Sequence, residues 1–252
     1  MMRIASLGSG SRGNGTLIEA GATRLLVDCG FGPRQLARRI ERLGFEPGDI
    51  DAILVTHEHS DHLGGVAAVA ARYGIAVHMT HGTQSAGRYA GPAQLFDSHT
   101  AFVVGDLEIH PFPVPHDARE PVQFVVSDGR HRCGLLTDAG HVTAHVLAML
   151  AGCDALVVEC NHDAEMLMQG AYPYPLKQRI AGRFGHLDNA AAAQLVAQLA
   201  HARLQHVVAA HLSEENNRPE LAKAALAAAL GCAPDAVVAA DQDSGFDWLA
   251  LA

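Results

Sequence analysis

The chain of 252 residues carries 27 Asp or Glu against 18 Lys or Arg, a formal net charge of -9, and is 49% hydrophobic with 16 histidines beside one Trp and four Tyr. That composition excludes a disordered, collagenous or coiled-coil chain, and the length lies near the limit of one hydrophobic core, which predicts a single domain over residues 1–252. The acidic balance excludes broad non-specific nucleic-acid binding, which depends on neutralising phosphates, but leaves room for a local basic groove.

Residues 1–15 lack the apolar stretch of a signal peptide, and no later run reaches the ~20 residues of a membrane helix, so a cytoplasmic protein without a membrane partner is expected. Strands are expected at Arg3–Ser6, Thr16–Glu19 and Arg24–Asp28, then a helix at Pro33–Leu43. Between the first two strands, Gly8-Ser9-Gly10-Ser11-Arg12-Gly13 matches G-x-G-x-x-G. A dinucleotide fingerprint opens a helix, whereas Thr16-Leu17-Ile18-Glu19 reads as a strand, so the stretch is taken as a hairpin turn. Its amides, with Arg12, could still cradle a phosphate. Arg34, Arg38 and Arg42 read as a solvent face of the helix, paired with Glu41 or Glu46. A strand Ile53–Thr56, a helix Leu63–Tyr73 and a strand Ala76–Met79 follow. Phe102–Val104, Leu107–Phe112, Val122–Ser127 and Arg132–Thr137 read as strands of hairpins, with a turn signal at Asp128-Gly129. The remainder alternates: helix Val142–Leu150, strand Ala155–Glu159, helix Asn189–Leu199, strand His206–Ala209, helix Pro219–Leu230, and strands Ala236–Ala239 and Gly245–Leu249. Hairpins joined to strand-helix crossovers predict a mixed α/β (α+β) fold of two mixed sheets packed face to face with helices outside. Five cysteines without a C-x-x-C pair read as reduced thiols.

The run Ile53-Leu54-Val55-Thr56-His57-Glu58-His59-Ser60-Asp61-His62 takes an apolar strand directly into three histidines and an aspartate. Imidazole with carboxylate suits zinc, manganese or iron, and a spacing of two directs His57 and His59 the same way while strand geometry persists. Asp61 and His62 could face a second ion, or Asp61 could cap the helix that follows. Three more strand ends carry ligand-type residues: His116 in Val114-Pro115-His116-Asp117, Asp138 after Leu135-Leu136-Thr137, and His211 after Val207-Val208-Ala209-Ala210.

These residues, in this order, resemble the motifs of the metallo-β-lactamase fold hydrolases. The resemblance covers essentially the whole chain and implies an αββα four-layer sandwich with two divalent metal ions, Zn2+ or Mn2+. It implies His57, His59 and His116 on the first ion, Asp61, His62 and His211 on the second, and Asp138 bridging. Asp28 matches a strand-end aspartate that supports the motif loop. Ser9 to Asn14, Pro115 to Val122, Glu159 to Asp163, Gly185-His186-Leu187 and His211 to Asn217 further resemble the bacterial YycJ/WalJ-like branch of double-strand DNA exonucleases acting 5′ to 3′. Gln123, Cys160 and Asp188 depart from that branch, and their effect is expected at the substrate rim. The 21 residues between His116 and Asp138 are too few for the RNA-clamping arm of ribonuclease Z, and the 72 between Asp138 and His211 too few for the inserted β-CASP domain.

The resemblance therefore implies a binuclear metal-dependent phosphodiester hydrolase, a 5′-to-3′ DNA exonuclease using a metal-bridging hydroxide, with DNA as partner. Asp61 would orient the water as well as ligate, and His186 would protonate the leaving group. Lys177, Arg179 and Arg183, flanked by Tyr172 and Tyr174, form either a basic loop bordering the site or a solvated helix. His162 is a further candidate at the rim. The nine other histidines read as surface or satisfied core residues. A small-molecule hydrolase on the same metals and a non-catalytic metal-binding regulatory protein are the alternatives.

Overall fold

Short apolar runs and Ala/Leu-rich stretches resolve into fourteen strands and nine α-helices in the computed structural model, which describes residues 1–252. In chain order the strands are β1 (Met2–Gly8), β2 (Gly15–Ala20), β3 (Thr23–Val27), β4 (Ala52–Leu54), β5 (Ala76–Thr80), β6 (Gln94–Phe96), β7 (Phe102–Val104), β8 (Leu107–Pro113), β9 (Val122–Ser127), β10 (Arg132–Leu136), β11 (Ala155–Glu159), β12 (His206–Ala210), β13 (Val238–Ala239) and β14 (Phe246–Leu251). The helices are α1 (Pro33–Glu41), α2 (Ser60–Leu63), α3 (Val66–Tyr73), α4 (His81–Ser85), α5 (Ala144–Leu150), α6 (Ala164–Gln169), α7 (Tyr174–Ile180), α8 (Asn189–Leu199) and α9 (Pro219–Leu230). None is long and apolar enough to cross a membrane.

Two seven-stranded sheets form, ordered β14-β1-β2-β3-β4-β5-β6 and β13-β12-β11-β10-β9-β8-β7. Both are mixed: β1, β2 and β3 pair antiparallel and β3 to β6 parallel, while β7 to β10 pair antiparallel and β10 to β13 parallel. Strand periodicity sorts the side chains into layers. From β1, Met2 and Ile4 enter the core between the sheets, while Ala5 and Leu7 enter the core under the helices on the outer face. From β11, Ala155 and Val157 point inward, whereas Leu156, Val158 and Cys160 meet the opposite helical layer with Leu195 and Leu226. Burial on both faces explains why these strands read as continuous apolar runs rather than alternating ones. The architecture is helix, sheet, sheet, helix, as expected.

The departures have local causes. The expected helix at Leu63–Tyr73 is interrupted: α2 ends at Leu63 and α3 begins at Val66. Gly65 between them lies so close to the Phe31 carbonyl that a β-carbon would collide with it. The strand β6 has three residues of which only Phe96 is buried, too little pattern to read. Of the two readings offered for the stretch with Lys177, Arg179 and Arg183, the helix holds in α7, and Pro175 at its start has the φ a first helical turn requires. Near the C-terminus, a 3-10 turn at Pro234–Ala236 shortens β13, and β14 runs to Leu251.

Candidate metal centre

The ends of β3, β4, β8, β10, β11 and β12 meet at one edge of the sandwich, because these strands run parallel within each sheet. Asp28, Asp138 and His211 follow three of them, and they are the non-glycine residues with positive φ, at 61°, 51° and 54°. Left-handed backbone costs such residues on the order of 1 kcal/mol or more each and persists where the surroundings hold it. Here the holding contacts are visible. The buried Asp28 carboxylate accepts from the Thr56 amide and hydroxyl, both at 2.8 Å, and from His62 Nδ1 at 2.7 Å. It thereby fixes the loop from Thr56 to His62 without joining the cluster that loop forms.

The same logic orients the imidazoles. The Thr56 hydroxyl gives its hydrogen to Asp28, so it accepts from His57 Nδ1 at 2.9 Å, and His57 Nε2 is left buried with no hydrogen-bond partner. His116 Nδ1 donates to the Gly185 carbonyl at 3.1 Å, which turns its Nε2 towards His59 Nδ1 at 3.2 Å. His57, His59 and His116 thus present ring nitrogens to one point, all within 4.8 Å of one another. Asp61, His62 and His211 form a second such group, with His62 Nε2 3.2 Å and His211 Nε2 3.4 Å from Asp61 Oδ2. Asp138 stands between the groups: its Oδ2 is 3.0 Å from His62 Nε2, and its Oδ1 is 3.9 Å from His116 Nε2. The close approach of Asp138 Oδ2 to His62 is not a formed hydrogen bond, and that oxygen is buried without one. Burying a carboxylate oxygen and an imidazole nitrogen unpartnered costs several kcal/mol unless a cation lies between them. The donor set fits divalent metal ions.

Without metal the cluster compensates itself with protons. Burial alone would lower the pKa of His211, but Asp138, Asp61 and Glu159 outweigh it and push it up to about 10. For His62, burial is likewise outweighed by Asp138, Asp61 and Asp28, and the ring is raised well above its ordinary value. His57, with burial and then His62 against it, is lowered well below. Burial would raise both Asp61 and Asp138, yet the surrounding imidazoles hold them far below the usual carboxylate range. The pocket calls for positive charge, which metal would supply in place of protons.

Glu159 is a site residue whose part the sequence did not disclose. It ends β11 fully buried. Its Oε1 accepts from His186 Nδ1 at 2.8 Å and His211 Nδ1 at 3.1 Å, and its Oε2 accepts from the amides of Ala139 and Leu187, both at 3.0 Å. Burial works against its ionisation, but His186 and these hydrogen bonds hold it at about 2. An apolar strand ending in a carboxylate, Ala155 to Glu159, is the signal that marked Asp28 and Asp138 and would have found it. Gln123 is the other surprise: it is buried on β9, donates to the Thr137 carbonyl at 2.8 Å, and so braces the residue before Asp138 rather than the rim. Cys160 is likewise buried, and Asp188 caps α8 through the Ala191 amide at 2.7 Å.

The glycine-rich turn serves the centre too. Gly8, Gly10 and Gly13 have φ between 141° and 154°, a region other residues avoid, which accounts for the G-x-G-x-x-G spacing without a nucleotide. Ser9 Oγ accepts from the His211 amide at 2.8 Å, and Asn14 Nδ2 donates to Asp61 Oδ2 at 3.2 Å. Gln242, from the loop before β14, clasps the turn by donating to the Gly13 carbonyl at 3.0 Å and accepting from the Arg12 amide at 2.8 Å. Arg12 itself pairs with Glu214 at 2.8 Å and Asp243 at 3.1 Å, so its charge is directed away from any phosphate cradle.

Above the centre opens a cleft of about 440 Å³ lined by His59, Asp61, Asp138, His186 and His211 together with Arg88, Asp117, Tyr172, Leu176 and Arg179. The expected rim residues disperse. Arg179 lines the cleft and pairs with Asp117 at 2.7 Å. Lys177 is buried and donates to the Met168 carbonyl at 2.7 Å, tying α7 to α6. Arg183 is exposed outside the cleft, and its carbonyl bonds His141 Nδ1 at 2.9 Å. His162 is buried in an adjoining cavity behind His186. His186 lines both spaces. Just past α1, Arg42 pairs with Asp247, not with Glu41 or Glu46. Several remaining histidines are satisfied elsewhere: His78 stacks on Phe102, and His201 and His206 bond the carbonyls of Cys153 and Ala250.

Comparison with known proteins bears on the family and the fold. Residues 23–211 match the model of the "Beta-lactamase superfamily domain" family. The chain is 35% identical over 228 residues to the exodeoxyribonuclease WalJ of Streptococcus pneumoniae, covering 87% of this chain and 85% of that one. It is 34% identical over 228 residues to the exodeoxyribonuclease YycJ of Bacillus anthracis, covering 88% and 86%. Among solved structures, the metallo-β-lactamase fold protein YhfI from Bacillus subtilis superimposes with a TM-score of 0.76 at 15% identity, over 99% of this chain and 100% of that one.

Proposed function

The chain belongs to the β-lactamase superfamily and is a metal-dependent hydrolase, and from that premise we propose that it is a binuclear phosphodiesterase that degrades DNA exonucleolytically from 5′ to 3′. The observation that carries the DNA reading is 35% identity, sustained over 87% of the chain, to a protein named exodeoxyribonuclease. Residues 1–252 act as one catalytic unit in this reading, in the cytoplasm.

His57, His59 and His116 would hold one ion, Asp61, His62 and His211 the other, with Asp138 shared; zinc and manganese both suit such imidazole and carboxylate donors. The ions would neutralise the phosphate and bring the pKa of water from 15.7 towards about 7. Asp61, steadied by Asn14, accepts a hydrogen bond from the attacking water and aims it at phosphorus. His186 carries a proton to the leaving alkoxide. Its Nδ1 is fixed on Glu159, which leaves Nε2 as the ring's free nitrogen, and although burial lowers its pKa, Glu159 and Asp138 raise it above the ordinary histidine value. A carboxylate behind the imidazole thus favours its protonated form and orients the ring, as an orienting partner does for other catalytic histidines.

The test is incubation of metal-reconstituted protein with 5′-labelled duplex DNA, single-stranded DNA, RNA and bis-p-nitrophenyl phosphate. Progressive release of the label from duplex DNA is the expected outcome. Cleavage of the chromogenic ester alone, at every protein-to-DNA ratio, would reject the exonuclease and leave a small-molecule hydrolase.

A further inference from the structure

Two guanidinium groups line the cleft, and they differ in commitment. Arg179 is paired with Asp117, whereas Arg88 is exposed and its side chain makes neither ion pair nor hydrogen bond. The segment carrying Arg88 is nonetheless anchored. It follows α4, whose Gly82 amide donates to Glu120 Oε2 at 2.7 Å, while Thr80 Oγ1 before it donates to the Glu120 carbonyl at 3.1 Å. Glu120 belongs to the same short loop as His116, so Arg88 is referred to the metal side of the cleft through two hydrogen bonds.

The apolar lining comes from α7 and its approach: Tyr172, Leu176 and Ile180, four residues apart, share one face. An unpaired cation on an anchored segment and an aromatic and aliphatic wall, in one cleft beside the proposed phosphodiester-cleaving centre, match the two parts of a nucleotide. The volume of about 440 Å³ lies within the ~300–1,000 Å³ of small-molecule sites. With a net charge of -9 the molecule as a whole repels a polyanion, so an unpaired cation in the cleft has unusual weight.

We propose that Arg88 binds the phosphate adjacent to the scissile one and that Tyr172, Leu176 and Ile180 hold the nucleotide between them, a subsite that selects polynucleotides over small esters. This rests on the nuclease reading above. Binding of a duplex with cleavage-resistant phosphorothioate ends to the metal-reconstituted protein is measured by fluorescence anisotropy across a series of salt concentrations. Arg88→Ala should weaken it about tenfold, the loss of one charged hydrogen-bonding contact. It should also make the slope of log K against log salt shallower by about 0.7–0.9, one released counterion. Arg88→Lys should restore the slope, and Arg183→Ala, outside the cleft, should leave it as in the unaltered protein. An unchanged slope in Arg88→Ala overturns the subsite while leaving the nuclease reading intact if the unaltered protein cleaves DNA. If the unaltered protein neither binds nor cleaves DNA, the nuclease reading fails and the subsite with it.

Discussion

Asp138 on the floor of the cleft and Arg88 on its rim line the same space, yet the molecule holds them in opposite ways. Asp138 is 2% exposed, sits in strained backbone, and is surrounded by His62, His116, His186 and His211. Arg88 is exposed and touches no carboxylate. A buried charge cannot stand alone, so each floor residue requires a partner whose own orientation is fixed in turn, from Thr56 through Asp28 to His62. A rim cation in water has no such requirement. The floor is therefore a cooperative unit that fails together, and the rim a set of separable contacts that fail one at a time.

The largest effect expected from breaking this contrast comes from Asp138→Ala. Removing the shared carboxylate should abolish hydrolysis and lower bound metal together; metal analysis showing two retained equivalents would reject the shared role. Next is His186→Ala, which lies where floor meets rim. Its kcat should fall by about 10²–10⁴-fold, the usual contribution of a general acid, while both metals remain bound; unchanged kcat would end its assignment as the proton donor. The smallest effect sharpens the account of the floor alone. In metal-free protein His211 is raised to about 10 from an unfolded value near 6.5. Its stabilising contribution is thus complete below pH 6.5 and is lost as pH rises through 10. Metal-loaded protein would hold that ring as a neutral ligand and be spared the loss, and less proton competition would strengthen metal binding. The difference in Tm between loaded and metal-free protein should widen from pH 6.5 to 10, measurable by calorimetry; a constant or narrowing gap would contradict the charge balance described.

The floor was legible for the same reason that it is cooperative. Ligand-type residues crowded into His57 to His62 and placed at the ends of apolar strands leave a dense local pattern, and the two mixed sheets follow from strands buried on both faces. Glu159 ends an apolar strand as Asp28 and Asp138 follow theirs, but its part was not legible because only the fold brings His186 and His211 to it. The rim was only partly legible, for a further reason. Lys177, Arg179 and Arg183 are neighbours in sequence but radiate from α7 and its end, one to a carbonyl of α6, one to the cleft and one to solvent. Arg88, far from them in the chain and the sole Asp, Glu, Lys or Arg between Arg72 and Asp97, gave no sign of joining Arg179. Helical direction decides which charge meets substrate, and composition is blind to it.

The clasp of Gln242 on the glycine-rich turn has a consequence for the order of assembly. Ser9 and Asn14, which steady His211 and Asp61, lie in a turn that is itself secured from a position 229 or 230 residues away, and β1 is flanked by β14. A chain emerging from the ribosome at about 5–20 residues per second displays the His-x-His-x-Asp-His segment long before Gln242 exists. Contacts of such separation form late. The nascent chain therefore carries the histidines before the turn that steadies Asp61 and His211 is clasped, and the centre is completed as β14 docks beside β1.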